Sequence, residues 1–218
     1  MPKGMHLNRQ SFTGSHIGDK RLLTTLAING CQRRYGDQHH EAMERTKRDL
    51  KVIYEMGFSP YLLITWDIIR YAQTSGYHHV GRGSGANSIV AYCLYITDVD
   101  PLELDLYFER FINPHRTSPP DFDIDFSWDE RDDVIDYILD RYGREHTALL
   151  ATYNTFKGKS IVRELGKVFG LTKEEIDTIV NEPLADHKHH PFARYIFHYG
   201  KCIEGFPNYL SIHAGGIV

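Results

Sequence analysis

Cysteine is scarce: three in 218 residues, Cys31, Cys93 and Cys202, far apart and odd in number. That excludes a disulfide framework and any cysteine-based zinc spacing, and it suits a reducing compartment. No stretch approaches the roughly 20 apolar residues of a membrane-spanning helix, and no apolar leader core follows Met1. The chain therefore reads as soluble and cytoplasmic, with no membrane partner. Basic residues do not predominate either, with 25 Lys and Arg against 29 Asp and Glu, a formal net charge of −4. A uniformly basic nucleic-acid glove is excluded, so any phosphate grip must be concentrated in particular segments. Internal repeats and low-complexity tracts are also missing. No Ser-His-Asp or Cys-His arrangement has supporting context.

What remains is an ordinary globular composition, 41% hydrophobic and 25% charged, in a chain long enough for one large or two small domains. Residues 1–18 are polar and aperiodic, a ragged tail or linker. Helical spacing of apolar residues predicts helices over 19–34 and 40–56, with Gly57 as C-cap. Ser59-Pro60 reads as an N-cap and first helical residue for a largely buried helix to Thr74. A short strand, 78–80, runs into Gly81-Arg82-Gly83-Ser84-Gly85, and a helix is expected over 86–95. Asp100-Pro101 reads as the start of another helix carrying Phe108 to Phe111. An amphipathic helix spans 129–142 and an apolar strand 148–153. A basic-tipped helix follows over 157–169, then the capping box Thr172-Lys173-Glu174-Glu175. A new strand begins at Ser211.

The stretch Pro120-Asp121-Phe122-Asp123-Ile124-Asp125-Phe126 carries the chemistry. Strand side chains alternate, so Asp121, Asp123 and Asp125 share one face and Phe122, Ile124 and Phe126 the other. Three like charges on one edge repel unless a cation sits among them, and carboxylates suit a hard ion such as Mg²⁺. A solvated acidic edge strand that blocks edge pairing is the competing reading. The loop Gly81–Gly85 lies between strand and helix. Glycines there let backbone approach an oxyanion, while Ser84 adds a hydroxyl and Arg82 a charge. Its spacing is neither a Walker A loop nor a dinucleotide fingerprint, and a plain turn with a serine cap also fits. Together the two motifs are the constellation required for nucleotidyl transfer. A phosphate cradle faces carboxylates that hold two Mg²⁺ ions roughly 3.5–4 Å apart, with Arg82, Arg110 and Arg116 stabilising charge on the transferring phosphoryl group.

Gly81 to Ala86, Val90-Ala91-Tyr92, Ile96-Thr97-Asp98, Asp100-Pro101, Phe108 to Phe111, Asn113-Pro114 and Pro120 to Phe126 follow one another in an order and spacing that resembles the alpha subunit of bacterial DNA polymerase III. The likeness continues through Arg131-Asp132, Ile135 and Tyr142-Gly143, and extends from Met56-Gly57-Phe58 to His213-Ala214-Gly215-Gly216. It implies an α/β (α+β) fold: a polymerase-beta-like nucleotidyltransferase palm with an inserted helical thumb. In that scheme 19–153 is the first part of the palm, 154–209 the thumb, and 210–218 the start of a returning palm strand. The resemblance makes Asp121 and Asp123 the catalytic metal ligands, with Asp125 third on the same face. It puts Arg82, Gly83, Ser84 and Arg110 at the incoming dNTP. Lys157, Lys159, Arg163 and Lys167 of the thumb become contacts to primer-template DNA, alongside Arg116; a solvated helix face is the other reading of these lysines.

Val80 stands where the family commonly has Pro, and Asn87 where it has Gly, which leaves the replicative and error-prone branches unresolved. The family's PHP domain, its fingers, its third catalytic aspartate and its contacts to other replisome subunits lie outside this stretch. The implied reaction is template-directed transfer of dNMP to a primer 3′-hydroxyl, with little activity expected from this fragment alone. An untemplated nucleotidyltransferase of the same superfamily and a non-catalytic DNA-binding module are the rivals. The histidines of Asp186-His187-Lys188-His189-His190 read as solvated or zinc-binding, Trp66 as core or stacking platform, and Tyr92 and Phe108 as core or nucleotide neighbours.

Overall fold

The computed structural model describes residues 11–113, 120–181 and 191–218. The chain forms two compact units, 1–143 and 144–218, with α and β elements in both.

In the first unit, α1 (His16–Tyr35) starts three residues earlier than the periodicity suggests, because the Ser15 side chain accepts the Gly18 amide. α2 (His40–Glu55) is capped by the His39 ring. α3 (Ser59–Thr74) has Phe58 as its N-cap, so Ser59 is the first helical residue and caps nothing through its side chain, contrary to expectation. The three helices bury Leu23, Ala27, Ile53, Leu62, Leu63 and Ile69 in one cluster. Each large aliphatic contributes roughly 1.5–3 kcal/mol before the entropy of ordering it.

β1 (His79–Arg82) pairs antiparallel with β2 (Asp123–Phe126), in the register Val80↔Asp125, Gly81↔Ile124 and Arg82↔Asp123. Between them, one expected helix is shortened and another is absent. The loop after β1 winds into a 3-10 turn, Gly83–Asn87, and Ser88 then caps the five-residue α4 (Ile89–Cys93) by accepting the Ala91 amide. Tyr95, at φ 61°, ends any continuation. After Asp100-Pro101 the Asp100 carboxylate accepts the Leu102 amide, but Asp105 turns left-handed at φ 47°. Only a 3-10 turn, Phe108–Arg110, forms beyond it.

α5 (Arg131–Tyr142) docks on α3 through the buried Asp67. The phenols of Tyr137 and Tyr142 donate to its Oδ2 at 2.8 and 3.0 Å, and Arg70 donates to its Oδ1 at 3.0 Å. Tyr137 also stacks on Tyr71, with ring centroids 3.9 Å apart.

In the second unit, β3 (Leu149–Thr155) pairs antiparallel with β4 (Pro207–Ile217), and α6 (Lys159–Val168), α7 (Lys173–Asn181) and α8 (Ala193–Ile203) lie between them in sequence. The capping box forms as read: the Thr172 amide donates to Glu175 and the Glu175 amide to Thr172 Oγ1. Gly166 and Gly200 leave room for Ile176 and Ile161. β3, read as an apolar strand over 148–153, is exposed along most of its length. The palm–thumb boundary expected at 153/154 falls inside β3. No helix among the described residues is long and apolar enough to cross a membrane.

Asp49 of α2 is fully buried. Burial penalises its charged form and lifts its pKa to about 6, against the opposing charges of Arg48 and Arg45. A carboxyl raised in the folded state binds its proton there before it does when unfolded, so stability rises as pH falls through about 6 toward the unfolded value near 4. Urea unfolding should show this gain. In Asp49→Asn it should vanish, with a higher midpoint than the parent at pH 8; an unchanged pH slope would count against it.

Candidate active site

The antiparallel register brings the glycine–serine loop against the acidic strand. Asp121, Asp123 and Asp125 are exposed, while Phe122, Ile124 and Phe126 are half-buried against the core. The period-two alternation is therefore present. Three successive loop residues each meet a different part of the strand. Arg82 Nε donates to Asp125 Oδ2 at 2.6 Å. Gly83, at φ 71°, sits beneath the Asp123 carboxylate, which a Cβ at that position would strike. Ser84 Oγ donates to the Asp121 carbonyl at 3.5 Å.

Buried supports hold the loop. Gly81 lies against the Ile96 carbonyl with no room for a side chain, and Thr97 Oγ1 donates to the Gly81 carbonyl at 2.8 Å. Asn87, itself buried, donates from Nδ2 to the Ser84 carbonyl at 2.9 Å. Phe122 packs beside Gly85 from the strand side. Sequence reasoning gave no role to Thr97, named only within the motif Ile96-Thr97-Asp98, or to Tyr61, which receives the Phe122 amide at 3.2 Å. Neither carries a local signal, because each acts on a backbone group distant in the chain.

Electrostatically, the hydrogen bond that Arg82 donates to Asp125, followed by the charges of Asp125 and Asp123, favours the charged form of Arg82. Asp125 is thus already engaged. Among the described residues no ion pair engages Asp121 or Asp123, and no group of three or more His, Cys, Asp or Glu is gathered closely enough to hold a metal ion. Alternate strand residues stand about 6.8 Å apart. Two hard carboxylate oxygen donors with open solvent before them still fit a cation that completes its shell with water and phosphate oxygens.

Arg110 ends the 3-10 turn Phe108–Arg110, next to Phe111, whose ring meets Phe122 at 5.0 Å; no hydrogen bond or ion pair joins the Arg110 side chain to the acidic strand among the described residues. Phe108 is core. Tyr92 packs under the Arg34 guanidinium at 4.0 Å, and Trp66 is half-buried against the core. Arg116 and the histidines at 187, 189 and 190 lie outside the described residues. In the second unit Lys157 and Lys159 are exposed. Arg163 pairs with Asp177 at 3.8 Å and Lys167 with Glu164 at 2.8 Å, surface pairs worth at most about 1 kcal/mol.

Residues 21–218 match the family model described as the bacterial DNA polymerase III alpha NTPase domain. The chain belongs to that family. Among curated relatives, it is 36% identical to an error-prone DNA polymerase of Symbiobacterium thermophilum over 98% of its own length and 21% of the relative's. It is 38% identical to the DNA polymerase III subunit alpha of Bacillus subtilis, over 90% of this chain and 19% of that protein. An error-prone DNA polymerase of Methylococcus capsulatus is 37% identical over 90% of the chain. The chain thus spans about a fifth of the length of these polymerase relatives. Relatives named DNA polymerase III subunit alpha and relatives named error-prone DNA polymerase are similarly identical to it, so identity does not separate the branches.

Proposed function

We propose that this chain carries the nucleotide- and cation-binding part of a DNA polymerase that extends a primer 3′-end on a template. The carrying observation is the meeting of Arg82, Gly83 and Ser84 with the acidic strand, inside a segment that matches the polymerase family model. On this reading residues 19–153 are the first part of a polymerase-beta-like palm. Residues 154–209 are its inserted thumb, residues 210–218 return to the palm, and the reaction belongs to the cytoplasm.

Asp121 and Asp123 would hold Mg²⁺. Two such ions, when bound, lower the pKa of the primer hydroxyl and neutralise the leaving pyrophosphate. The backbone at Gly83 and the hydroxyl of Ser84 seat the triphosphate. Arg82 and Arg110 offset its charge, and Arg82 releases Asp125 as it turns toward phosphate. The primer oxygen bonds to the α-phosphorus as the bond to the bridging oxygen of pyrophosphate breaks. Arg116, Lys157, Lys159, Arg163 and Lys167 would contact duplex phosphates, each a sequence-independent and salt-sensitive interaction. Other replisome subunits would bind through parts of the longer polypeptide.

Calorimetric titration of the 218-residue chain with dATP, with and without Mg²⁺, tests the site. Binding should require Mg²⁺ and weaken at least about ten-fold in Asp123→Asn, since even outer partners of metal ligands cost that much. Equal binding by both proteins removes Asp123 from the site. The isolated chain should incorporate little or no dNTP on a primed template.

A further inference from the structure

The acidic strand is held by its ladder along only part of its length. β2 pairs with β1 from Asp123 to Phe126, which leaves Asp121 and Phe122 ahead of the first paired residue. Side chains take over there. The Phe122 amide donates to the Tyr61 phenol oxygen at 3.2 Å, and the Ser84 hydroxyl reaches the Asp121 carbonyl. The Tyr61 ring stacks on that of Phe122, with centroids 5.5 Å apart and planes 23° apart. Tyr61 stands in the first turn of α3, beside Leu62 and Leu63, which are fully buried. Phe122, the residue between Asp121 and Asp123, is therefore gripped at backbone and side chain by one residue of a rigid helix.

We propose that Tyr61 is a positioning residue: its hydroxyl fixes the backbone at Phe122, and so the separation at which Asp121 and Asp123 present their carboxylates to a divalent cation. This rests on the reading of that pair as the cation ligands. Mg²⁺ demands oxygens at close to 2.1 Å in near-octahedral array, so a strand end free to drift misplaces one ligand relative to the other. An amide deprived of its acceptor is costly to leave unsatisfied, and without the phenol the Phe122 N–H must turn toward water. Tyr61→Phe removes the acceptor and keeps the ring stack, separating positioning from packing.

The test compares the parent chain, Tyr61→Phe and Asp123→Asn by amide hydrogen exchange at Phe122 and by the Mg²⁺ dependence of dATP binding. In Tyr61→Phe the Phe122 amide should exchange faster. The Mg²⁺ midpoint should rise about three- to ten-fold, the share of one net hydrogen bond, with dATP affinity recovered at saturating Mg²⁺ and little change in urea midpoint. Faster exchange with an unmoved Mg²⁺ midpoint overturns the positioning role and leaves the site reading intact. Unchanged exchange overturns the hydrogen bond itself. A parent chain whose dATP binding ignores Mg²⁺ and matches Asp123→Asn overturns the site reading, and this inference with it.

Discussion

Gly81→Ala should lose about 3 kcal/mol or more of unfolding free energy, the range of overpacking that no side-chain rotation relieves. Gly81 is buried in the middle of β1, opposite Ile124. A Cβ there would overlap the Ile96 carbonyl and crowd the Thr97 Cα. Those are backbone atoms, held by the Ile96 amide bonded to the Ala91 carbonyl and by the Thr97 hydroxyl on Gly81 itself. The methyl fits only if β1 moves outward, which also shifts Arg82, Gly83 and Ser84 from the acidic strand. Urea unfolding measures the loss. Val80→Ala, at a residue 63% exposed, is the control and should stay within about 0.5 kcal/mol of the parent. A Gly81→Ala protein as stable as that control would show the close approach to be wrong.

Asp67→Ala should cost about 3 kcal/mol, because removing one partner of a buried charged network strands the others. Asp67 is 1% exposed and takes hydrogen bonds from Tyr137, Tyr142, Arg70 and Arg141. The arginines can turn to solvent, each having more than half its side chain exposed, whereas the Tyr142 hydroxyl has been pushed up by burial and by the Asp67 charge. Burial alone would raise the Asp67 pKa, yet the donors Tyr137, Tyr142 and Arg70, with the Arg141 charge, together hold it below the ordinary carboxylate value. A carboxylate depressed in this way stabilises the fold above its unfolded pKa, near 4, and loses that contribution as pH falls further. Acid unfolding below about pH 4 should therefore be shallower in Asp67→Asn than in the parent. Parallel acid limbs for the two proteins would refute the network's charge dependence. The same pair of titrations separates Asp67 from Asp49, whose contribution has the opposite sign and lies between pH 4 and 6.

Much of the site was legible because its signals are local. Alternating Asp and Phe or Ile over 121–126 declares two faces whatever the strand packs against, and Thr172 with Glu175 declares a helix start from four residues. The helix expected over 86–95 forms only over Ile89–Cys93, for a reason equally local but ambiguous: Asn87-Ser88 reads as helix interior by composition, whereas Ser88 satisfies the Ala91 amide and begins the helix there. The expected helix after Pro101 failed at Asp105, where a left-handed residue interrupts a plausible pattern.

Composition and periodicity by themselves determined a mixed α and β segment with one acidic and one apolar face over 121–126, because those traits depend on residues close in the chain; the order of the motifs added the resemblance to the polymerase family. Only the tertiary structure decided that Arg82 holds Asp125, that Asp123 lies over Gly83, and that Tyr61 takes the Phe122 amide. Each of these joins groups about 40 to 60 residues apart. Such contacts are selected by the packing of α3 and β1 against a common core, and no interval in the linear chain encodes that distance.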